Sequence, residues 1–85
     1  MKEFRYVIKD EVGIHARPAG ILVKEAKSYA STLTIEVNGK KAELAGLMSV
    51  MGLGAKQGME LVIRAEGADE KEAIEGIKKI IEKNL

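Results

Sequence analysis

His15 and Arg17 are the residues of this chain whose types and spacing suit chemistry: an imidazole and a guanidinium two positions apart, with Pro18 directly after. His15 is the only histidine and Pro18 the only proline among 85 residues. A neutral imidazole is a nucleophile near neutral pH, and a guanidinium is a permanent cation whose fork of N–H donors matches phosphate oxygens. Proline lacks a backbone N–H and fits a helix only in its first turn. Pro18 therefore predicts a helix start at positions 14 to 16, with His15 at the N-cap or next to it. The first N–H groups of a helix have no partner within it and carry partial positive charge, which suits an anion. Together these residues read as an imidazole that could carry a phosphoryl group. The N–H groups of Ala16 and Arg17 would face that group, and Pro18 would offer none. A solitary histidine before Arg-Pro is also ordinary helix-start chemistry, so the reading needs the surrounding elements.

Those elements are legible from periodicity. Phe4, Tyr6 and Ile8 alternate with Glu3, Arg5 and Val7, which predicts a half-buried strand over 3–8, and the segment 10–13 turns the chain toward His15. A helix is expected over 16–30. Its core stripe is Ala19, Leu22, Val23, Ala26 and Ala30, and its other face holds Arg17, Gly20, Ile21, Lys24, Lys27 and Ser28. Leu33, Ile35 and Val37 mark a second strand that runs straight into Asn38-Gly39. That dipeptide signals a type I′ hairpin turn, because both of its central residues need positive φ. The returning strand covers 40–44. The apolar, glycine-punctuated run that follows predicts a short helix over 47–52, too short for Leu47, Met48 and Met51 all to point inward. Leu61, Val62 and Ile63 mark a buried strand over 60–66. Asp69 is expected to cap a last helix, with Glu72 as its capping-box partner and Ala73, Ile74, Ile77, Ile80 and Ile81 facing the core.

The resulting order is β-α-β-β-α-β-α. The economical architecture is an α+β open-faced sandwich: a four-stranded antiparallel sheet with two longer helices and one short helix on one face. Residues 1–85 read as a single small domain with a modest core. The chain is 46% hydrophobic and 32% charged, which fits a globular protein rather than a disordered one. A net charge of +1 and three aromatic residues argue against nucleic-acid binding. Absence of cysteine excludes disulfides and thiolate metal sites. With no apolar leader at the N-terminus and no stretch long enough to span a bilayer, the expectation is a cytoplasmic protein without membrane insertion.

The residues that carry a resemblance are Gly13-Ile14-His15-Ala16-Arg17-Pro18-Ala19, Asn38-Gly39-Lys40, the Leu-Met-Ser-Val-Met-Gly-Leu-Gly run over 47–54, and Gly67-Ala68-Asp69-Glu70. With them the whole chain resembles the HPr family, the histidine-containing phosphocarriers of the bacterial phosphoenolpyruvate-dependent sugar phosphotransferase system. The resemblance implies a covalent relay rather than an enzyme. Enzyme I, charged by phosphoenolpyruvate, would phosphorylate Nδ1 of His15, and the group would pass to enzyme IIA domains. It also implies that Arg17 helps neutralise the phosphate and that one surface serves both partners in turn. That surface would comprise Gly20, Ile21, Lys24 and Lys27 with Leu47, Met48 and Met51. Methionines adapt to differently shaped partners, and lysines steer acidic ones.

No metal, organic cofactor or obligate oligomer is implied, so a monomer is expected. Two positions depart from the family pattern. Val12 stands where a serine or asparagine often could contact the ring or the phosphate. Gly46 stands where many Gram-positive relatives carry a regulatory serine, so phosphorylation by the dedicated ATP-dependent kinase should be missing. Ser49, inside the short helix, is a poor substitute.

Overall fold

The computed structural model describes all residues, 1–85. Strands β1 (Lys2–Val7), β2 (Thr32–Val37), β3 (Lys40–Glu43) and β4 (Glu60–Glu66) form one sheet. Their spatial order is β1-β4-β2-β3, and every neighbouring pair is antiparallel. Helices α1 (Ala16–Ala26), α2 (Leu47–Met51) and α3 (Glu70–Asn84) complete the order β-α-β-β-α-β-α. The open-faced sandwich predicted from the sequence is the observed architecture.

Strand alternation decides which face is covered. Phe4, Ile63 and Ile35 lie opposite one another across three strands, and Tyr6, Leu61 and Val37 form the next such row. These rows, with Leu33 and Ala65, meet Ala19, Leu22 and Ala26 of α1, Val50 of α2, and Ala73, Ile77 and Ile81 of α3 in one hydrophobic cluster. The opposite face is held by charge. Arg64 donates to Glu3 at 2.7 Å and to Glu36 at 2.6 Å, while Arg5 reaches Glu60 at 3.2 Å. Val62, paired across the strands with Arg5 and Glu36, is buried on this outer face and stands outside the core cluster. The stems of long charged side chains suffice to exclude water from it.

The hairpin turn forms as its dipeptide dictates, with Asn38 at φ 52° and Gly39 at φ 79°. Several boundaries differ from expectation. Helix α1 stops at Ala26 rather than Ala30, and Ala30 is exposed. The Ser28 N–H and its hydroxyl both bond the Glu25 carbonyl, at 3.0 and 2.7 Å, which tightens the last turn. Tyr29 N–H still reaches back to the Ala26 carbonyl at 3.4 Å, and the donors after it leave the helix. Ala30 N–H (2.9 Å), Ser31 N–H (2.8 Å) and the Ser31 hydroxyl (2.5 Å) all donate to the Asp69 carboxylate. Asp69 therefore occupies the N-cap of α3 in the chain path without capping it through its side chain, and Glu72 closes no capping box. Its carboxylate instead staples the α1–β2 turn to the start of α3. On α3, Ile74 and Ile80 flank the core half-buried instead of sitting within it.

This staple makes acid stability testable. The Ser31 hydroxyl, followed by the Ala30 N–H, holds the Asp69 carboxyl below its ordinary value of 3.8. A carboxylate whose folded pKa is depressed contributes stability above the unfolded value and loses it as pH falls through the folded one. Asp69→Asn should melt below the wild type at pH 7, and the gap should close in the acid limb below about pH 4. Thermal melts at pH 7 and pH 3 provide the check, and an undiminished gap at pH 3 would attribute the effect to shape instead of charge.

Candidate functional site

The loop between β1 and α1 is set by two tight contacts. Asp10 accepts Val12 N–H on Oδ1 at 2.8 Å and Gly13 N–H on its carbonyl at 3.1 Å. Gly13 then adopts φ +77°, with the Ala55 carbonyl and Lys56 Cα where a side chain would stand. Ile14 is buried and donates its N–H to that same Ala55 carbonyl at 3.1 Å, so the segment after α2 fixes the residue before His15. His15 follows in extended geometry as the N-cap of α1.

His15 caps only through its backbone. Its carbonyl accepts Ala19 N–H at 3.0 Å, whereas its imidazole forms no capping hydrogen bond and is half-buried. The ring is therefore not committed to holding the helix. The Ala16 and Arg17 N–H groups have no intrahelical acceptor, as expected for a first turn, and both residues are exposed. Arg17 enters none of the five ion pairs. Pro18 is buried and forms a wall. A depression of about 300 Å³ opens here, lined by Asp10, His15, Arg17, Pro18, Lys83 and Asn84. It contains an unspent nucleophile, cationic side chains and adjacent helix-start donors, the components that phosphoryl chemistry requires. No group of three or more His, Cys, Asp or Glu side chains is arranged to hold a metal ion.

The structure places His15, Ala16 and Arg17 side by side at the start of α1. Gly20 and Ile21 lie half-buried on α1, Lys24 is exposed near its end, and Lys27 is exposed at the C-cap. Leu47, Met48 and Met51 are 42%, 80% and 38% exposed, while Val50 alone of α2 is buried. The five-residue helix thus spends one side chain on the core and leaves three apolar ones outside. Helices α1 and α2 pack against each other, so the lysine-bearing helix and the methionine-bearing one are neighbours. Val12, 64% exposed, adds an apolar side chain three positions before His15. Gly46 is the N-cap of α2, and a Cβ there would meet Ser49 Oγ at 3.5 Å and the Glu43 carbonyl oxygen and Ser49 Cβ at 3.6 Å, all ordinary contacts, so packing does not require glycine.

Asp10, Lys83 and Asn84 are lining residues that the sequence reading missed. Lys83 and Asn84 come from the far end of the chain. Lys9 and Asp10 N–H both donate to the Leu85 carbonyl oxygen at 2.7 Å, which docks the end of α3 on the loop that precedes His15. No local pattern signals that docking; Lys83 reads as one more lysine on a solvated helix face.

Comparison with known proteins agrees with this geometry. A family model described as the PTS HPr component phosphorylation site matches residues 2–83. Phosphocarrier protein HPr of Mycoplasma capricolum is 45% identical over 78 residues, 92% of this chain and 88% of that protein. Among solved structures, a mycoplasma histidine-containing phosphocarrier protein superposes with a TM-score of 0.92 at 43% identity, covering 93% of this chain and 90% of its own. An HPr dimer from Thermoanaerobacter tengcongensis gives a TM-score of 0.78 at 40% identity, over 98% of this chain and 95% of that one. No helix of the structure is long and apolar enough to cross a membrane. Full-length sequence agreement, the shared sheet and helix order, and the helix-start histidine lead to one assignment: the chain belongs to the HPr family of phosphocarrier proteins of the phosphotransferase system.

Proposed function

We propose that this protein accepts a phosphoryl group from phosphorylated enzyme I on Nδ1 of His15 and delivers it to enzyme IIA domains during sugar uptake. The observation that carries the reading is the uncommitted imidazole of His15, placed at the start of α1 in a depression it shares with Arg17. In the accepting step the Nδ1 lone pair forms a bond to phosphorus as the bond to the donor breaks, its electron pair leaving with the donor. The ring's own proton remains on Nε2 or passes to solvent. Arg17 and the Ala16 and Arg17 N–H groups meet the charge on the phosphoryl oxygens. The protein carries the group without turning over a substrate of its own.

The test is direct. Incubation with phosphoenolpyruvate and enzyme I should add one acid-labile, alkali-stable phosphate, and mixing with an enzyme IIA domain should discharge it. A protein that stays unmodified under conditions in which a known HPr is charged would overturn the proposal. The protein acts as a monomer in this reading, which sedimentation analysis at working concentration would check.

The partner face is proposed to combine Gly20, Ile21, Lys24 and Lys27 with Leu47, Met48 and Met51. Met48 is its most exposed apolar residue, so Met48→Asp should weaken enzyme I binding by at least about tenfold and shift stability by less than about 0.5 kcal/mol. Calorimetric titration and a urea melt measure the two effects. The reverse pattern, a large stability loss with unchanged affinity, would make Met48 a packing residue.

A further inference from the structure

We propose that Lys83, near the end of α3, is a second phosphate-contacting cation of the His15 site, acting with Arg17 on the carried phosphoryl group. The inference rests on the phosphocarrier reading and deepens it. Six residues line the depression, and their commitments single out Lys83. Pro18 has no donor. Asn84 turns its side-chain Nδ2 back to the Ile80 carbonyl at 2.9 Å. Asp10 is an acceptor only, with Oδ1 engaged by Val12 N–H. His15 is the acceptor of the group. Arg17 and Lys83 remain: both exposed, both cationic, and neither in an ion pair.

The position of Lys83 is built into the fold. The two 2.7 Å hydrogen bonds from Lys9 and Asp10 to the Leu85 carbonyl hold the end of α3 against the loop that carries His15. The flexible stem of a lysine then lets a compact ammonium with three donors follow a group that arrives and departs. Arg17 and Lys83 are the two cationic side chains of the lining, and neither is held by an ion pair, so both can turn to an incoming phosphoryl dianion. After charging, that dianion relieves the repulsion between Arg17 and Lys83.

A lysine in the last turn of a helix also complements the helix dipole, so the test must separate the two roles. Lys83→Gln and Lys83→Arg are compared with wild type in transfer from phosphorylated enzyme I at varied acceptor concentration. Lys83→Gln should lower the maximal rate about threefold to tenfold with little change in KM, and Lys83→Arg should restore most of it. The Lys83 side-chain resonances of the wild-type protein should also move on phosphorylation, while those of Lys71, on the first turns of α3, stay in place. A lower melting temperature with unchanged rates, a change confined to KM, or stationary Lys83 resonances would each overturn the proposal. A wild-type protein that never becomes phosphorylated would instead overturn the phosphocarrier reading itself, a different result from any of these.

Discussion

His15→Ala should give a folded protein that accepts no phosphoryl group. The loss should be complete because the chain holds no second histidine and no cysteine, and Arg17 beside it is a cation rather than a nucleophile. The fold should tolerate the change. The imidazole is half-buried, makes no capping hydrogen bond, and stands outside the core cluster. The helix loses no side-chain cap, because the bond that closes its first turn uses the His15 carbonyl, which alanine retains. The stability cost should stay under about 1 kcal/mol. Charging with labelled phosphoenolpyruvate and enzyme I, alongside a urea melt, measures both quantities. Acid-labile phosphate on the alanine variant would remove His15 from its assigned role.

Gly13→Ala should be among the most damaging single-methyl changes in the molecule. At φ +77° an alanine is strained, and its Cβ would overlap the Ala55 carbonyl oxygen, the acceptor for Ile14 N–H. The clash is with backbone, so no side chain can swing aside to relieve it. Loss of about 2–4 kcal/mol is expected. Gly39→Ala is the informative control. Gly39 has nearly the same φ, +79°, but open space around the added Cβ, so it isolates the conformational cost at about 1 kcal/mol. Chemical denaturation of both variants gives the comparison. Equal costs would show that the approach of the segment after α2 contributes nothing. A Gly13 variant studied below its melting temperature should also transfer more slowly, since displacing Ile14 displaces the ring that follows it.

Sequence alone determined the elements and the chemistry that local rules govern. Pro18 can occupy only the first turn of a helix, so His15 had to stand at the helix start. Asn38-Gly39 required the hairpin, and the alternation in the strands decided which face of the sheet would be covered. A helix of one or two turns over 47–52 cannot point Leu47, Met48 and Met51 all inward, which the sequence already required. That Val50 takes the core position and all three stay exposed is seen in the structure.

Tertiary structure decided whatever depends on where a hydrogen-bond donor finds its partner. Periodicity alone extends α1 to Ala30, but the helix ends at Ala26. Ser28 and Tyr29 N–H tighten onto the Glu25 and Ala26 carbonyls, and the Asp69 carboxylate, remote in sequence, takes the Ala30 and Ser31 donors. By the same act Asp69 ceased to be the side-chain cap its position advertised. Ile14 is fixed by a carbonyl at Ala55, and Lys83 reaches the site because the Leu85 carbonyl accepts two donors from the β1–α1 loop. Such pairings join segments from opposite parts of the chain. Periodicity and capping rules act within a few residues, whereas these contacts exist only after the sheet has closed and the helices have settled on it.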